Sequence, residues 1–156
     1  EAAVQAMRYP PIGQRGLAVA RGHNDYKRQD ALAFAQEANR ENLLIVQIES
    51  QNAVENVDEI VSTPGVDVAL IGPADLSLSL GIALKMDDPA MVAAVEKVVA
   101  ACKRHNVITG LHVGDLKAIK YWSQNGILLL SGSSDLDILL DGCLQLGKNF
   151  RESVSA

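Results

Sequence analysis

The chain has 156 residues, of which 48% are hydrophobic and 21% charged, and its formal net charge at pH 7 is −5. This length suffices for one domain with a hydrophobic core, and the composition is that of an ordinary soluble globular protein. The acidic balance, the lack of a basic run and the lack of a long apolar stretch argue against nucleic-acid and membrane partners.

Apolar runs and segments with helical spacing alternate along the whole chain. Residues 1–9 are predicted to end a helix, which Pro10 and Pro11 stop, and a polar helix is predicted over about residues 24–41. The predicted strands are 43–48, 68–71, 107–111 and 127–130, and the first has the continuous apolar pattern of a strand buried on both faces. The predicted helices are 52–61, a helix opened by Asp88 and Pro89, 116–122, and a closing helix over 136–144.

This order predicts an α/β fold made of four strand–helix units with a parallel sheet. The pattern fits the C-terminal half of a (β/α)8 barrel better than a small open flavodoxin-like sheet, although both are compatible with it. A half-barrel exposes the edges of its first and last strands, and a full barrel takes about 250 residues. Residues 1–156 are therefore predicted to be a single partial domain from the C-terminal part of a larger protein.

Two cysteines, Cys102 and Cys143, fall at apolar positions of predicted helices. There is no C-x-x-C pair to indicate a zinc or redox site. Because free cysteine is among the most buried residue types, both are predicted to be reduced thiols in the core. Their reduced state favours a cytoplasmic location.

Two carboxylates, Glu49 and Asp75, follow the first and second predicted strands. A carboxylate at the end of a buried strand is costly unless it is paired or binds a metal. Taken singly, each acid is better explained as a helix cap, Glu49 for the helix over 52–61 and Asp75 for the turn over 76–80. At matching positions after consecutive strands, they instead predict a partial oxygen site that suits Mg²⁺ or Mn²⁺.

Several motifs carry a resemblance to a known family. They are Arg8-Tyr9-Pro10-Pro11 followed by Gly13, Arg15 and Gly16, then QIES at 47–50, Pro64-Gly65-Val66-Asp67, and IGPADLSLSLG at 71–81. In this order and spacing they resemble the HpcH/HpaI aldolases, which are metal-dependent class II enzymes acting on 2-keto acids such as 4-hydroxy-2-oxoheptanedioate. The resemblance covers essentially the whole chain.

The resemblance implies a (β/α)8 barrel in which Glu49 and Asp75 bind Mg²⁺, Mn²⁺ or Co²⁺. It also implies that Gln47 points toward the pyruvate moiety and that the amides of Ala74 and Asp75 hold its carboxylate, beside Gly72 and Pro73. The implied reaction cleaves a 4-hydroxy-2-oxo acid to pyruvate and an aldehyde through a metal-stabilised enolate. Members commonly form homo-oligomers with swapped C-terminal helices, so residues 136–150 are expected to pack on a neighbour.

The chain departs from the family in lacking the earlier strands that carry the catalytic histidine, its acidic partner and an arginine. No catalytic residue is therefore assigned, and His23, His105 and His112 match no catalytic position. Two interpretations of His112, which follows the third predicted strand, stay open: a pocket residue or, as the preferred prediction, a surface or hydrogen-bonded loop histidine. The alternatives are a non-catalytic fragment that keeps the metal and keto-acid site, or a relative using the same enolate for decarboxylation or C–C bond formation.

The two arginines of the first motif, Arg8 and Arg15, lie beside prolines and glycines. They are predicted to brace a loop or a subunit contact rather than to bind substrate.

Overall fold

The computed structural model describes residues 1–154, apart from the side chain of Leu116. Its parallel sheet consists of β1 (Ile45–Ile48), β2 (Val68–Ile71), β3 (Ile108–His112) and β4 (Leu129–Ser131). The helices are α1 (Ala2–Met7), α2 (Ala31–Glu41), α3 (Gln51–Glu55), α4 (Val57–Val61), α5 (Pro73–Ser79), α6 (Pro89–His105), α7 (Leu116–Gln124) and α8 (Asp135–Val154). A 3₁₀ turn covers Gly22–Asn24.

The strands lie side by side in chain order, β1-β2-β3-β4, and each neighbouring pair is parallel. Successive right-handed crossovers in one direction place all connecting helices on the same face, as in a barrel wall. An open doubly wound sheet instead reverses its strand order and carries helices on both faces. The predicted half of a (β/α)8 barrel is confirmed, and the open flavodoxin-like alternative is wrong.

The hydrophobic core lies between this sheet and helices α3 to α7. It contains side chains from one face of the strands and from each of these helices: Ile48, Ala69, Ile71, Leu111, Val54, Val57, Leu76, Val95, Val98 and Trp122. The other face of the sheet carries no such layer among the described residues. The prediction that β1 is buried on both faces is therefore wrong: Ile48 is 1% exposed, whereas Ile45 is 45% exposed and Gln47 is exposed as well.

Helix α2 begins later than predicted, one predicted helix is divided in two, and the closing helix α8 extends beyond the predicted 136–144. Helix α2 begins at Ala31 because Asp30 accepts a hydrogen bond from the amide of Ala33 at 2.8 Å, and the φ angles of Asp25 (54°) and Tyr26 (57°) cannot continue a helix. The helix predicted over 52–61 is divided into α3 and α4 at Asn56. The side chain of Asn56 donates to the carbonyl of Asn52 at 2.8 Å. Such side-chain bonds to the backbone, which asparagine often makes, compete with the regular hydrogen bonds of a helix.

The last two strands begin later than predicted. The amide of Val107 donates to the carbonyl of Cys102, and the amide of Ile127 donates to that of Trp122. Both residues thus complete the exits of the preceding helices instead of joining the sheet. At their other ends, β3 extends to His112 and β4 to Ser131, one residue beyond the predicted bounds.

Helix α8 contributes no buried residue, although it has 20 residues and is rich in leucine. The prediction that Cys143 is a core thiol is wrong, since α8 leaves it exposed. Cys102 is buried as predicted, and this burial raises the pKa of its thiol. Within residues 1–154 no helix is both long and apolar enough to cross a membrane.

Arg8 braces the start of the sheet, as predicted for the first motif. Its guanidinium, only 6% exposed, donates to the carbonyls of Asn39 (2.6 Å) and Asn42 (2.7 Å) and to Oδ2 of Asp67 (2.6 Å). The same Asp67 oxygen accepts from the amide of Leu44 at 2.7 Å. One buried arginine thereby joins the end of α2 to the residues preceding β1 and β2.

Candidate metal and keto-acid site

The predicted ligand residues lie at the carboxyl edge of β1 and β2. Ile48 pairs with Ile71, so the next residues, Glu49 and Gly72, lie side by side where the two strands end. Gly72 is the N-cap of α5, and Asp75 lies in the first turn of that helix. The carboxyl edge of a parallel sheet is where α/β folds place their ligands.

Neither carboxylate serves as a helix cap. Ser50 caps α3, since its hydroxyl accepts from the amide of Ala53 at 3.2 Å, and Glu49 takes no part. Helix α5 begins at Gly72 without any side-chain cap. The capping alternative is therefore wrong for both acids.

Both carboxylates are open to solvent and to ligands. Glu49 and Asp75 are exposed, and within residues 1–154 neither side chain makes a hydrogen bond or an ion pair. The prediction that Glu49 ends a strand buried on both faces is thus wrong, because the sheet face that it shares with Gln47 is open. These two carboxylates are therefore available as ligands, with little desolvation penalty from the protein itself.

Gly72 leaves the space that brings Gln47 and Glu49 together. A Cβ atom at position 72 would lie 2.7 Å from Nε2 of Gln47 and 3.1 Å from Oε2 of Glu49. Such distances are shorter than ordinary van der Waals contacts, so any larger residue at position 72 would displace the amide of Gln47 and push Glu49 away by a few tenths of an ångström. The structure therefore brings Gln47, Glu49 and Gly72 into direct proximity.

Pro73 and Ala74 continue this edge as the first residues of α5. The first hydrogen bond of the helix runs from the amide of Leu76 to the carbonyl of Gly72 at 3.0 Å. The amides of Ala74 and Asp75 precede that bond, and the first amides of a helix have no partner inside it. Pro73 and Ala74 also line a cavity of about 840 Å³ that reaches β3, α6 and α7.

A family model described as HpcH/HpaI aldolase/citrate lyase matches residues 1–141 of the chain. The chain belongs to this family.

Relatives of the HpcH/HpaI family cover nearly all of the chain. The 4-hydroxy-2-oxo-heptane-1,7-dioate aldolase of Shigella flexneri is 33% identical over 155 residues, which are 98% of this chain and 57% of that protein. The 5-keto-4-deoxy-D-glucarate aldolase of Klebsiella pneumoniae is 31% identical over 150 residues, 96% of this chain and 58% of that protein. The chain therefore spans less than two thirds of the length of these curated relatives.

A solved structure of the same family has the same fold. The crystal structure of the HpcH/HpaI aldolase from Desulfitobacterium hafniense DCB-2 matches with a TM-score of 0.87 and 32% sequence identity. The match covers 96% of this chain and 57% of that one. The described sheet and helices thus correspond to a large part of an HpcH/HpaI barrel.

The candidate donors at this edge are the two carboxylates of Glu49 and Asp75. In the part of the chain that the structure describes, no three His, Cys, Asp or Glu side chains cluster as a metal site would require. The two free carboxylates nevertheless fit a hard divalent cation of the Mg²⁺ type, which usually keeps waters or substrate oxygens in its coordination sphere. They do not fit a structural zinc site, which takes four protein ligands.

The three histidines of this HpcH/HpaI member have different surroundings. Nε2 of His23 lies 2.9 Å from the carbonyl of Ala18, and Nε2 of His105 lies 3.2 Å from Oδ1 of Asp58. Asp58 also pairs with Arg104, whose hydrogen bonds are the main cause that lowers the pKa of the Asp58 carboxyl. His105 therefore belongs to a surface ion cluster.

His112 is the residue of this edge that the sequence patterns did not assign. It is exposed, and its Nδ1 lies 3.0 Å from Oγ of Ser131, so the predicted hydrogen bond is confirmed. It also lines the cavity beside Pro73 and Ala74, which extends between α6 and α7 and is not lined by Gln47, Glu49 or Gly72. Its position at the end of the third strand, matching Glu49 and Gly72, was the available signal.

Proposed function

We propose that this chain is part of a divalent-metal-dependent aldolase that cleaves 4-hydroxy-2-oxo acids to pyruvate and an aldehyde. The observation that carries the proposal is the pair Glu49 and Asp75, two exposed carboxylates without protein partners after adjacent parallel strands. Membership of the HpcH/HpaI family and the aldolase names of the relatives support it.

Glu49 and Asp75 would hold the cation, which the family implies to be Mg²⁺, Mn²⁺ or Co²⁺. When bound, such a cation stabilises the negative charge that develops on the keto oxygen as the C3–C4 bond breaks. The proposed task of the two carboxylates is to fix the cation beside Gly72, where the absence of a side chain leaves room for a small ligand.

The neighbouring residues would bind and orient the keto acid. Gln47 offers an amide nitrogen directly above Gly72, where it can donate to a substrate oxygen. The free amides of Ala74 and Asp75, with the positive end of the α5 dipole, favour a carboxylate. Pro73 fixes the backbone at the start of this turn.

The residues that would move protons are proposed to lie outside this chain. The family resemblance places the catalytic histidine and the arginine on earlier strands, and no residue of 1–156 is assigned to either role. We therefore propose that residues 1–156 form one partial domain of the barrel, located in the cytoplasm, and that cleavage requires the earlier strands. Metal binding without cleavage would identify the isolated chain as the non-catalytic alternative.

The exposed apolar side chains of α8 support a homo-oligomer. They include Leu136 (73% exposed), Leu139 (64%), Leu146 (53%) and Phe150 (64%). A helix that exposes so much apolar surface is typical of a protein–protein contact. We propose that α8 packs on a second copy of the chain.

The metal site is tested by titrating Mn²⁺ into the wild type, Glu49→Ala and Asp75→Ala by calorimetry. Each variant is expected to abolish Mn²⁺ binding, because one remaining carboxylate offers too few ligands. Glu59→Ala is the matched control, since the side chain of Glu59 is an exposed carboxylate on α4. Unchanged Mn²⁺ affinity in either site variant would contradict the proposed ligands.

A further inference from the structure

A row of residues crosses the carboxyl edge of the sheet on the face away from the helices. Ile48, Ile71 and Leu111 are register partners, so the residues that follow them, Glu49, Gly72 and His112, are neighbours. Adjacent strands are about 4.8 Å apart. A ligand that lies over Gly72 therefore has Glu49 on one side and His112 on the other.

Ser131 holds the ring of His112 in place. The two residues are register partners on β3 and β4, and Nδ1 of His112 lies 3.0 Å from Oγ of Ser131. The amide of Val113 donates to the carbonyl of the same serine at 2.8 Å. Two bonds to one residue fix both the backbone and the ring, which is how binding side chains are kept in a single orientation.

The second ring nitrogen of His112 is free. In the described part of the chain Nε2 has no hydrogen-bond partner, and the side chain is exposed. When the hydroxyl of Ser131 donates to Nδ1, the neutral ring carries its proton on Nε2. The histidine then presents an N–H donor at the carboxyl edge of the sheet.

His112 also lies close to the first residues of α5. It lines one cavity together with Pro73 and Ala74, and the amide of Ala74 precedes the first hydrogen bond of that helix. His112 and the start of α5 therefore border the same space.

We propose that His112 is a further substrate-binding residue, and that its Nε2–H donates to the carboxylate of the 2-keto acid bound over Gly72. The inference rests on the proposed function of the Glu49–Asp75 site. It goes beyond that proposal because it extends substrate binding to β3 and makes Ser131 the residue that positions the donor.

The test measures pyruvate binding to the Mn²⁺-loaded 156-residue chain by calorimetry. His112→Leu removes the donor and is expected to raise the pyruvate Kd about tenfold, as for the loss of one hydrogen bond to a charged group. His112→Gln, which keeps an N–H donor, is expected to recover part of this loss. The Mn²⁺ Kd without pyruvate is expected to stay unchanged in both variants.

Pyruvamide, which lacks the carboxylate, separates binding of the anion from a merely structural role. His112→Leu is expected to raise the pyruvamide Kd less than the pyruvate Kd, because a hydrogen bond to a neutral amide oxygen is weaker than one to a carboxylate. His23→Leu is the control histidine from another part of the chain. A wild-type pyruvate Kd in His112→Leu, or an equal loss for pyruvamide, would overturn the inference while leaving the metal site intact. Failure of the wild type to bind Mn²⁺ would contradict the proposed function itself, and the inference with it.

An NMR measurement gives a second readout. With ¹⁵N-labelled histidine, pyruvate is expected to shift the Nε2 resonance of His112 in the Mg²⁺-loaded chain, and to leave those of His23 and His105 in place. No shift at His112 under saturating pyruvate would overturn the proposed contact.

Discussion

At the scale of single residues, the candidate site depends on the lack of a side chain at Gly72. Gly72 has a φ of −92°, which any residue can adopt, so its backbone does not require glycine. The constraint comes from Gln47 and Glu49, whose side chains would have to shift to admit a Cβ. Sequence alone indicates a turn at Gly72, but only the structure shows that the glycine makes room for two site residues.

Gly72→Ala is therefore expected to weaken Mn²⁺ binding about tenfold, or ~1.4 kcal/mol, because the new methyl group displaces the carboxylate of Glu49. Calorimetric titration with Mn²⁺ checks this. Gly16→Ala is the control, since a Cβ there would meet no atom within 4 Å. Equal Mn²⁺ affinity in wild type and Gly72→Ala would show that Glu49 does not depend on this space.

At the scale of elements, two adjacent residues before α3 have different roles: Ser50 caps the helix, and Glu49 is a candidate metal ligand. Ser50 stabilises the start of α3, whereas Glu49, one residue earlier, makes no such bond. Both residue types favour helix starts, so the sequence could not decide between them. The decision depends on backbone direction at the end of β1, where alternate side chains face opposite sides of the sheet.

Ser50→Ala is expected to lower the free energy of unfolding by about 1 kcal/mol, as for the loss of a typical N-cap. Glu49→Ala is expected to leave the free energy of unfolding unchanged, because the side chain of Glu49 makes no hydrogen bond or ion pair within the described residues. Urea denaturation of the two variants beside the wild type checks both values. A stability loss in Glu49→Ala as large as that in Ser50→Ala would support the capping role after all.

Elements with strong local signals were predicted best. The bounds of β2 agree with the sequence, and α6 is capped by Asp88, which accepts from the amide of Ala90, with Pro89 in its first turn. Strands β3 and β4 begin later than predicted because the amides of Val107 and Ile127 donate to carbonyls of the preceding helices. The apolar pattern of the sequence does not indicate such hydrogen bonds.

At the scale of the whole molecule, the sequence of helix α8 does not determine which surface its apolar face packs against. Its leucine spacing predicts a helix with an apolar face, and the helix is present from Asp135 to Val154. The same spacing fits a helix packed on its own sheet or on another copy. The apolar spacing predicts Cys143 in the core for this reason, but Cys143 is exposed.

The double variant Leu139→Glu, Leu146→Glu is expected to convert an oligomeric wild type into monomer, because two charges on the apolar face cannot be buried without a large desolvation cost. Sedimentation velocity measures the change. Lys148→Glu is the control because it changes the net charge by the same amount as the double variant. Lys148 is solvent-exposed and pairs with Glu152, so it does not belong to the apolar face. A monomeric wild type would contradict the proposed contact through α8.

We propose that Glu49 and Asp75 together form one cation site that a keto acid completes. The measurement that tests it most directly is a calorimetric titration of Mn²⁺ into the wild-type chain, with and without saturating pyruvate. Mn²⁺ binding that pyruvate tightens is the predicted result, because the keto acid supplies ligands that two carboxylates leave open. The same weak affinity in both titrations would contradict a shared metal and keto-acid site at this edge of the sheet.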